Sequence, residues 1–209
     1  MSPLSFAQQR LFFLDQFEPG SVSYNIPIAV RLIGDINENA LRRTLNEIVR
    51  RHEALRTTFT MIDGTPMQII AGQLEMTLPV TDLTALSATE RKAKAQRLAQ
   101  DDVQTPFDLS TGPLVRASLI RLEDAEHILL FTMHHIVSDG WSIGVLVNEV
   151  AALYPAYVQD QSLVPGMGSL LPELPIQYAD FAHWQRQWFN GDVLQQVDYW
   201  KGQLAGSPT

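Results

Sequence analysis

Residues 128–133, Ile-Leu-Leu-Phe-Thr-Met, form an apolar run between His127 and His134. The run is far shorter than the ~20 residues a membrane helix needs, so it reads as a buried strand. A second strand-like run, Leu114 to Leu122, precedes it across Glu123-Asp-Ala-Glu126, which predicts an antiparallel hairpin. A chain containing this hairpin has to supply elements that cover it.

Helical segments on either side meet that need. Leu41, Leu45, Ile48, Val49, His52 and Leu55 follow the spacing of a buried helix face, with Asp35 and Asn37 as possible N-caps. Arg42, Arg43, Arg50 and Arg51 fall mostly on the other side, as a solvated face. Ser87-Ala-Thr-Glu90 is a capping box that opens a helix running to about Gln104. Another helix starts near Ser142 and carries Val145, Leu146, Glu149, Val150 and Leu153, with Pro155 bending or ending it. A short helix is expected over Ser5–Phe17, and aromatic-rich helices over Ile176–Trp188 and Val193–Leu204. Core packing accounts for most of Tyr178, Trp184, Trp188 and Trp200. Strands are expected over Tyr24–Ile33, Thr57–Met61, Met67–Ala71 and Met76–Val80, the middle two joined by the hairpin signal Asp63-Gly64. Gln159–Pro175, rich in Pro and Gly, reads as an internal loop. The pattern predicts an α/β (α+β) two-layer sandwich with a mixed, largely antiparallel sheet packed against helices.

Composition narrows the function. Fifteen basic residues against 23 acidic ones give a formal charge of −8, which argues against a nucleic-acid partner. The absence of cysteine excludes a disulfide framework, Cys-based zinc sites and a cysteine nucleophile. With neither a signal-peptide pattern nor a membrane-length run, a cytoplasmic protein without membrane contact is expected.

The chemistry concentrates in Met133-His-His-Ile-Val-Ser-Asp-Gly-Trp-Ser142, where two histidines end the buried strand and an Asp-Gly turn precedes a helix. Side chains alternate across a strand, so His134 and His135 should face opposite sides, which argues against one metal bound by both. His135 is the candidate for general-base or positioning work near neutral pH, with His134 supporting it. Asp139 is expected to be structural, orienting the loop by pairing with Arg56 or with an arginine outside the chain. Gly140 permits close backbone approach or a left-handed conformation. Trp141, Ser142, Arg56 and Arg10 are candidates for the wall of a substrate channel. A hydrogen-bonded core role is the expectation for His52, and Gln8 and Arg10 would lie on the first short helix.

His134-His-Ile-Val-Ser-Asp-Gly140 resembles the His-His-x-x-x-Asp-Gly motif of condensation domains of non-ribosomal peptide synthetases, members of the chloramphenicol-acetyltransferase-like superfamily. Three further segments resemble that family in its own order: Leu4-Ser-Phe-Ala-Gln-Gln-Arg-Leu-Phe-Phe-Leu14, Arg51-His-Glu-Ala-Leu-Arg-Thr-Thr-Phe59 and Tyr178-Ala-Asp-Phe-Ala-His-Trp-Gln-Arg186. The resemblance implies an acyltransferase. An upstream carrier protein presents an acyl or peptidyl thioester on its 4'-phosphopantetheine arm, and a downstream carrier presents the amine that attacks it. The Gly140 amide would then donate to the developing oxyanion. An adenylation domain in the same synthetase is implied as a further partner, and no tightly bound cofactor.

Complete members are about twice this long and have two lobes, so residues 1–209 correspond to the N-terminal lobe, with the C-terminal lobe missing. The isolated chain is therefore expected to be inactive and open to self-association through the uncovered lobe interface. The residues after Gly140 lean toward the type that takes an L-configured donor. Two other readings stay open: a non-catalytic carrier-docking module, and a free-standing acyltransferase that uses coenzyme A thioesters.

Overall fold

A computed structural model of the protein describes residues 1–159, 170–190 and 192–206. In chain order the elements are β1 (Ser2–Pro3), α1 (Phe6–Phe17), β2 (Asn25–Ile33), α2 (Glu38–Arg51), β3 (Thr57–Ile62), β4 (Thr65–Ile70), β5 (Val80–Asp82), α3 (Ala88–Val103), β6 (Val115–Glu123), β7 (Glu126–His134), α4 (Gly140–Val158), α5 (Tyr178–Asn190) and α6 (Asp192–Gln203). A single 3-10 turn, Glu53–Arg56, separates α2 from β3.

The apolar hairpin is the centre of the fold. The larger sheet runs β2-β7-β6-β5, antiparallel except for the parallel β5–β6 edge. Alternate side chains of β7 explain its composition. Phe131 and Met133 pack with residues of α2 and α4, such as Ile48, Val49 and Leu153, while Leu130 packs with Ile120 and with Ala95 of α3. A strand buried on both faces has no polar side to show. The expected α/β sandwich with a largely antiparallel sheet is present, and α3 adds a helix on the sheet's second face.

The smaller sheet, β1-β4-β3, is antiparallel. Its hairpin turns at Asp63 and Gly64, with φ of 49° and 76°. Positive φ at both central residues is the tight turn whose twist matches paired strands, which is why Asp-Gly signals it.

Several expectations change. Of the two possible caps, Asn37 is used, its side chain accepting from the Ala40 amide at 2.9 Å. The helix ends at His52 and not at Leu55, because the chain breaks there into the 3-10 turn. Asp139 caps α4, which therefore starts at Gly140, and Pro155 lies within it. The strand expected at Met76–Val80 begins only at Val80. The Met76 amide donates to Asn46 Oδ1 (2.8 Å) and its carbonyl accepts from Asn46 Nδ2 (3.1 Å), so a side chain of α2 satisfies this backbone in place of a sheet. Of the expected internal loop, residues 160–169 lie outside the described residues.

The aromatic helix also departs from expectation. Tyr178, Trp184, Trp188 and Trp200 are substantially exposed, not core. Helix α5 buries its small residues Ala179 and Ala182 instead. Its large rings pack on one another, Tyr178 to Phe181 and Phe181 to Trp184 tilted and Trp184 to Trp188 stacked, with centroids 5.5–5.9 Å apart.

The arginine face of α2 is not uniformly solvated. Arg43 lies over the Tyr157 ring and Arg50 pairs with Glu47 and Glu173. Arg51 is buried, and its guanidinium donates from Nε and Nη2 to Glu149 Oε1 of α4, both at 3.3 Å. This pair ties α2 to α4 beneath the sheet end that carries the paired histidines. Removing one partner strands a buried charge. Glu149→Ala is therefore expected to cost about 3–5 kcal/mol in urea unfolding, and the apolar double variant Arg51→Met/Glu149→Leu far less.

Candidate active site

The histidine pair separates as strand geometry requires. His134, the last residue of β7, turns inward between the rings of Tyr24 and Phe107 and is buried. Its Nδ1 accepts the Ile136 amide at 3.1 Å, so the neutral ring carries its proton on Nε2. Burial, then the adjacent His135, push its pKa down to about 4. His135 projects the other way and is exposed. Its backbone amide is held by the Tyr24 carbonyl (2.8 Å), and its Nδ1–H donates to the Ser138 carbonyl at 2.9 Å. That bond fixes the tautomer and leaves Nε2 with a free lone pair.

The loop closes onto α4 through Asp139. Its Oδ1 accepts from the Ser142 amide (2.9 Å) and the Ser142 hydroxyl (2.7 Å), while the Asp139 amide donates back to Ser142 Oγ at 3.3 Å. This reciprocal cap replaces the expected pairing with Arg56. Arg56 is occupied elsewhere, donating to the Ala71 carbonyl and pairing with Glu53. The hydroxyl and amide of Ser142 hold the Asp139 carboxyl below the usual carboxylate range. Gly140 occupies the first turn of α4 with an ordinary φ, so a left-handed backbone is not its reason for being glycine. A Cβ there would meet nothing within 4 Å, so crowding does not require glycine either; as the first residue of α4 its amide has no partner within the helix.

A cavity of about 300 Å³ opens beside this loop. His135, Asp139, Trp141 and Ser142 line it on one side, with Leu11 of α1, Ile48 and His52 from the end of α2, and Leu174 to Tyr178 completing it. Its lining is mostly apolar. Trp141 and Ser142 lie on the cavity wall, and Trp141 is 85% exposed. Arg56 and Arg10 are not among the lining residues; Arg10 sits exposed on α1. Gln8 is structural, completing the capping box of Ser5.

Helical spacing assigns His52 only a core role. Its Nε2 does meet Glu149 Oε2 at 2.9 Å, but the ring also lines the cavity. The available signal was Glu149 itself, a carboxylate inside the apolar stripe of α4 that demands buried donors. Among the described residues no cluster of His, Asp and Glu suits a metal ion.

The condensation-domain family model matches residues 1–209, the whole chain. The chain belongs to the condensation-domain family. It is 50% identical over 206 residues to one of the linear gramicidin synthase proteins of Brevibacillus parabrevis, covering 98% of this chain and 4% of that protein. It is 46% identical to phosphinothricin tripeptide synthetase PhsC of Streptomyces viridochromogenes, covering 99% of this chain and 18% of that one. The starter condensation domain of rhizomide synthetase RzmA superposes with a TM-score of 0.83 at 25% identity, covering 99% of this chain and 48% of that structure. The SgcC5 protein of Streptomyces globisporus gives 0.75 at 32%, covering 98% and 46%. This condensation-domain chain thus spans just under half of those solved structures and a small part of the synthetases. No helix among the described residues is long and apolar enough to cross a membrane.

The depressed pKa of His134 has a definite sign. The unfolded imidazole takes its proton first, at about pH 6.5, so stability is fully present above that pH and falls until about pH 4. The loss attributable to this group is roughly 3 kcal/mol. His134→Asn keeps an acceptor near the Ile136 amide and does not titrate. Urea midpoints measured from pH 7 to pH 4 should therefore show the wild type losing ground to the variant, and a constant difference would overturn this account.

Proposed function

We propose that residues 1–209 form the first lobe of a condensation domain, which joins a carrier-bound acyl or peptidyl thioester to a carrier-bound aminoacyl amine. The observation that carries this reading is His135: an exposed imidazole with Nδ1 pinned to the Ser138 carbonyl, lining a mostly apolar cavity on the loop that runs into α4 at Gly140.

The reaction asks for little else. The amine nitrogen bonds to the thioester carbon, negative charge develops on the carbonyl oxygen, and the carbon–sulfur bond then breaks. The proton lost by the amine ends on the departing phosphopantetheine thiolate. His135 Nε2, accepting an N–H of the amine, aligns it for attack and can take that proton as the bond forms. The Gly140 amide donates to the oxygen as its charge grows. Asp139 acts through the backbone, holding the loop on α4, and His134 braces it from behind. Tethering two reactants in register supplies the larger share, about 7–11 kcal/mol in favourable cases.

The partners follow from the same reading: upstream and downstream carrier proteins bearing phosphopantetheine arms, an adenylation domain in the same synthetase, and a second lobe completing the channel. Support for the second lobe is the coverage of just under half of each solved domain. The cytoplasm is the proposed location, since carrier-borne thioesters are made there.

In a complete condensation domain carrying residues 1–209 as its first half, His135→Ala is expected to slow amide formation about 10²–10⁴-fold. Full retained activity would favour a docking module without catalysis. Turnover of soluble coenzyme A thioesters with no carrier present would favour a free-standing acyltransferase. Residues 1–209 alone are expected to form no detectable dipeptide under the same conditions.

A further inference from the structure

The cavity holds two imidazoles, and the loop motif accounts for one. His52 reaches it from the end of α2, beside Ile48 and Leu55. A buried carboxylate orients this second ring. His52 Nε2 donates to Glu149 Oε2 at 2.9 Å, while Glu149 Oε1 is taken by Arg51, whose Nη1 donates onward to the Leu171 carbonyl at 3.2 Å. A carboxylate only accepts, so Nε2 carries a proton, and in the neutral ring the lone pair is on Nδ1. Nδ1 makes no hydrogen bond among the described residues and is not one of the occluded unpaired side-chain atoms.

The other polar groups of the cavity are largely spent on one another. Gln177 Oε1 accepts from the Glu53 amide and its Nε2 donates to the Arg51 carbonyl. The Tyr178 hydroxyl bonds Ser5 Oγ, and Asp139 and Ser142 bond each other. Ser138 Oγ is unpaired but fully occluded. Among the described residues, His52 Nδ1 and His135 Nε2 remain without a hydrogen-bond partner in a mostly apolar space. In such a space a few unpaired polar groups fix the orientation of what binds.

We propose that His52 is a substrate-binding residue, its Nδ1 accepting an N–H of the aminoacyl group brought to the cavity. Glu149 and Arg51 hold the tautomer that keeps this lone pair free. The proposal takes the substrate class from the condensation reading above, and gives the second motif segment, Arg51-His-Glu-Ala-Leu55, a part in recognition beyond ending a helix.

The geometry permits a crossed test on residues 1–209. The probe is leucyl-pantetheine amide, a stable mimic of a carrier-bound aminoacyl thioester, with its des-amino analogue as control, both followed by calorimetric titration. His52→Asn keeps an acceptor at the Nδ1 position and loses the bond to Glu149. His52→Gln keeps a donor toward Glu149 and loses Nδ1. If Nδ1 contacts the substrate, His52→Gln should bind the leucyl probe roughly tenfold more weakly, with His52→Asn close to wild type. The des-amino analogue should bind the wild type more weakly by a similar factor and be indifferent to both variants. His135 also meets this amine, so it is the indifference of the analogue to the His52 variants that assigns the lost contact to His52; far-ultraviolet circular dichroism shows that each variant is folded before affinities are compared. The reverse order, Asn weakened and Gln not, would reduce His52 to a structural clamp and overturn the proposal. Equal binding by all three proteins, or no binding by the wild type, overturns it too. The condensation reading falls separately, if His135→Ala in the complete domain changes nothing or if soluble coenzyme A thioesters turn over with no carrier present.

Discussion

Glu149 is the point on which the arrangement turns. It sits in the apolar stripe of α4 and is buried, so it has to find donors in the protein. It finds two on consecutive residues at the end of α2, the Arg51 guanidinium on one oxygen and the His52 imidazole on the other. Those bonds fix where α4 lies against α2. The start of α4 fixes Asp139, and Asp139 fixes the loop that presents His135. A side chain some ten residues from the motif thus sets the frame in which the motif works.

The paired histidines show how one strand end produces opposite chemistry from identical residues. His134 is dehydrated, ring-stacked and committed through Nδ1 to a backbone amide, and its environment strongly disfavours charge. His135 offers its backbone to Tyr24 and its Nδ1–H to Ser138, and keeps Nε2 for what lies outside. The ring that cannot titrate near neutrality is structural, and the ring that meets solvent is available for reaction. Alternation along a strand, with a period of two residues, is all that separates them.

Much of this was legible in the amino-acid sequence where local rules dominate. The apolar hairpin, the Asp63-Gly64 turn, the Ser87 capping box and the opposed histidines all follow from short-range periodicity and turn chemistry. What escaped depended on partners distant in the chain. Asp139 is the exception, since its partner Ser142 lies three residues on as a local helix cap, while Arg56 turns to Ala71 and Glu53. Nothing near Met76 announces that Asn46 will stand in for a neighbouring strand. The rings of α5 misled for another reason: helical spacing places large side chains on one face, but only a neighbouring element decides whether that face is covered. Arg51 had the clearest warning, an acidic residue in an apolar stripe elsewhere, but the two signals had to be read together.

The reciprocal cap at the start of α4 carries a consequence for which molecules the loop tolerates. A helix start ordinarily attracts anions, through its free amides and a partial charge of about +0.5. Here the full negative charge of Asp139 already occupies that end and more than offsets the field. A free carboxylate or phosphate arriving at the loop meets repulsion, whereas a neutral carbonyl meets none and still finds the Gly140 amide at hand. The loop is in effect a filter for charge, admitting groups that become negative only while they react.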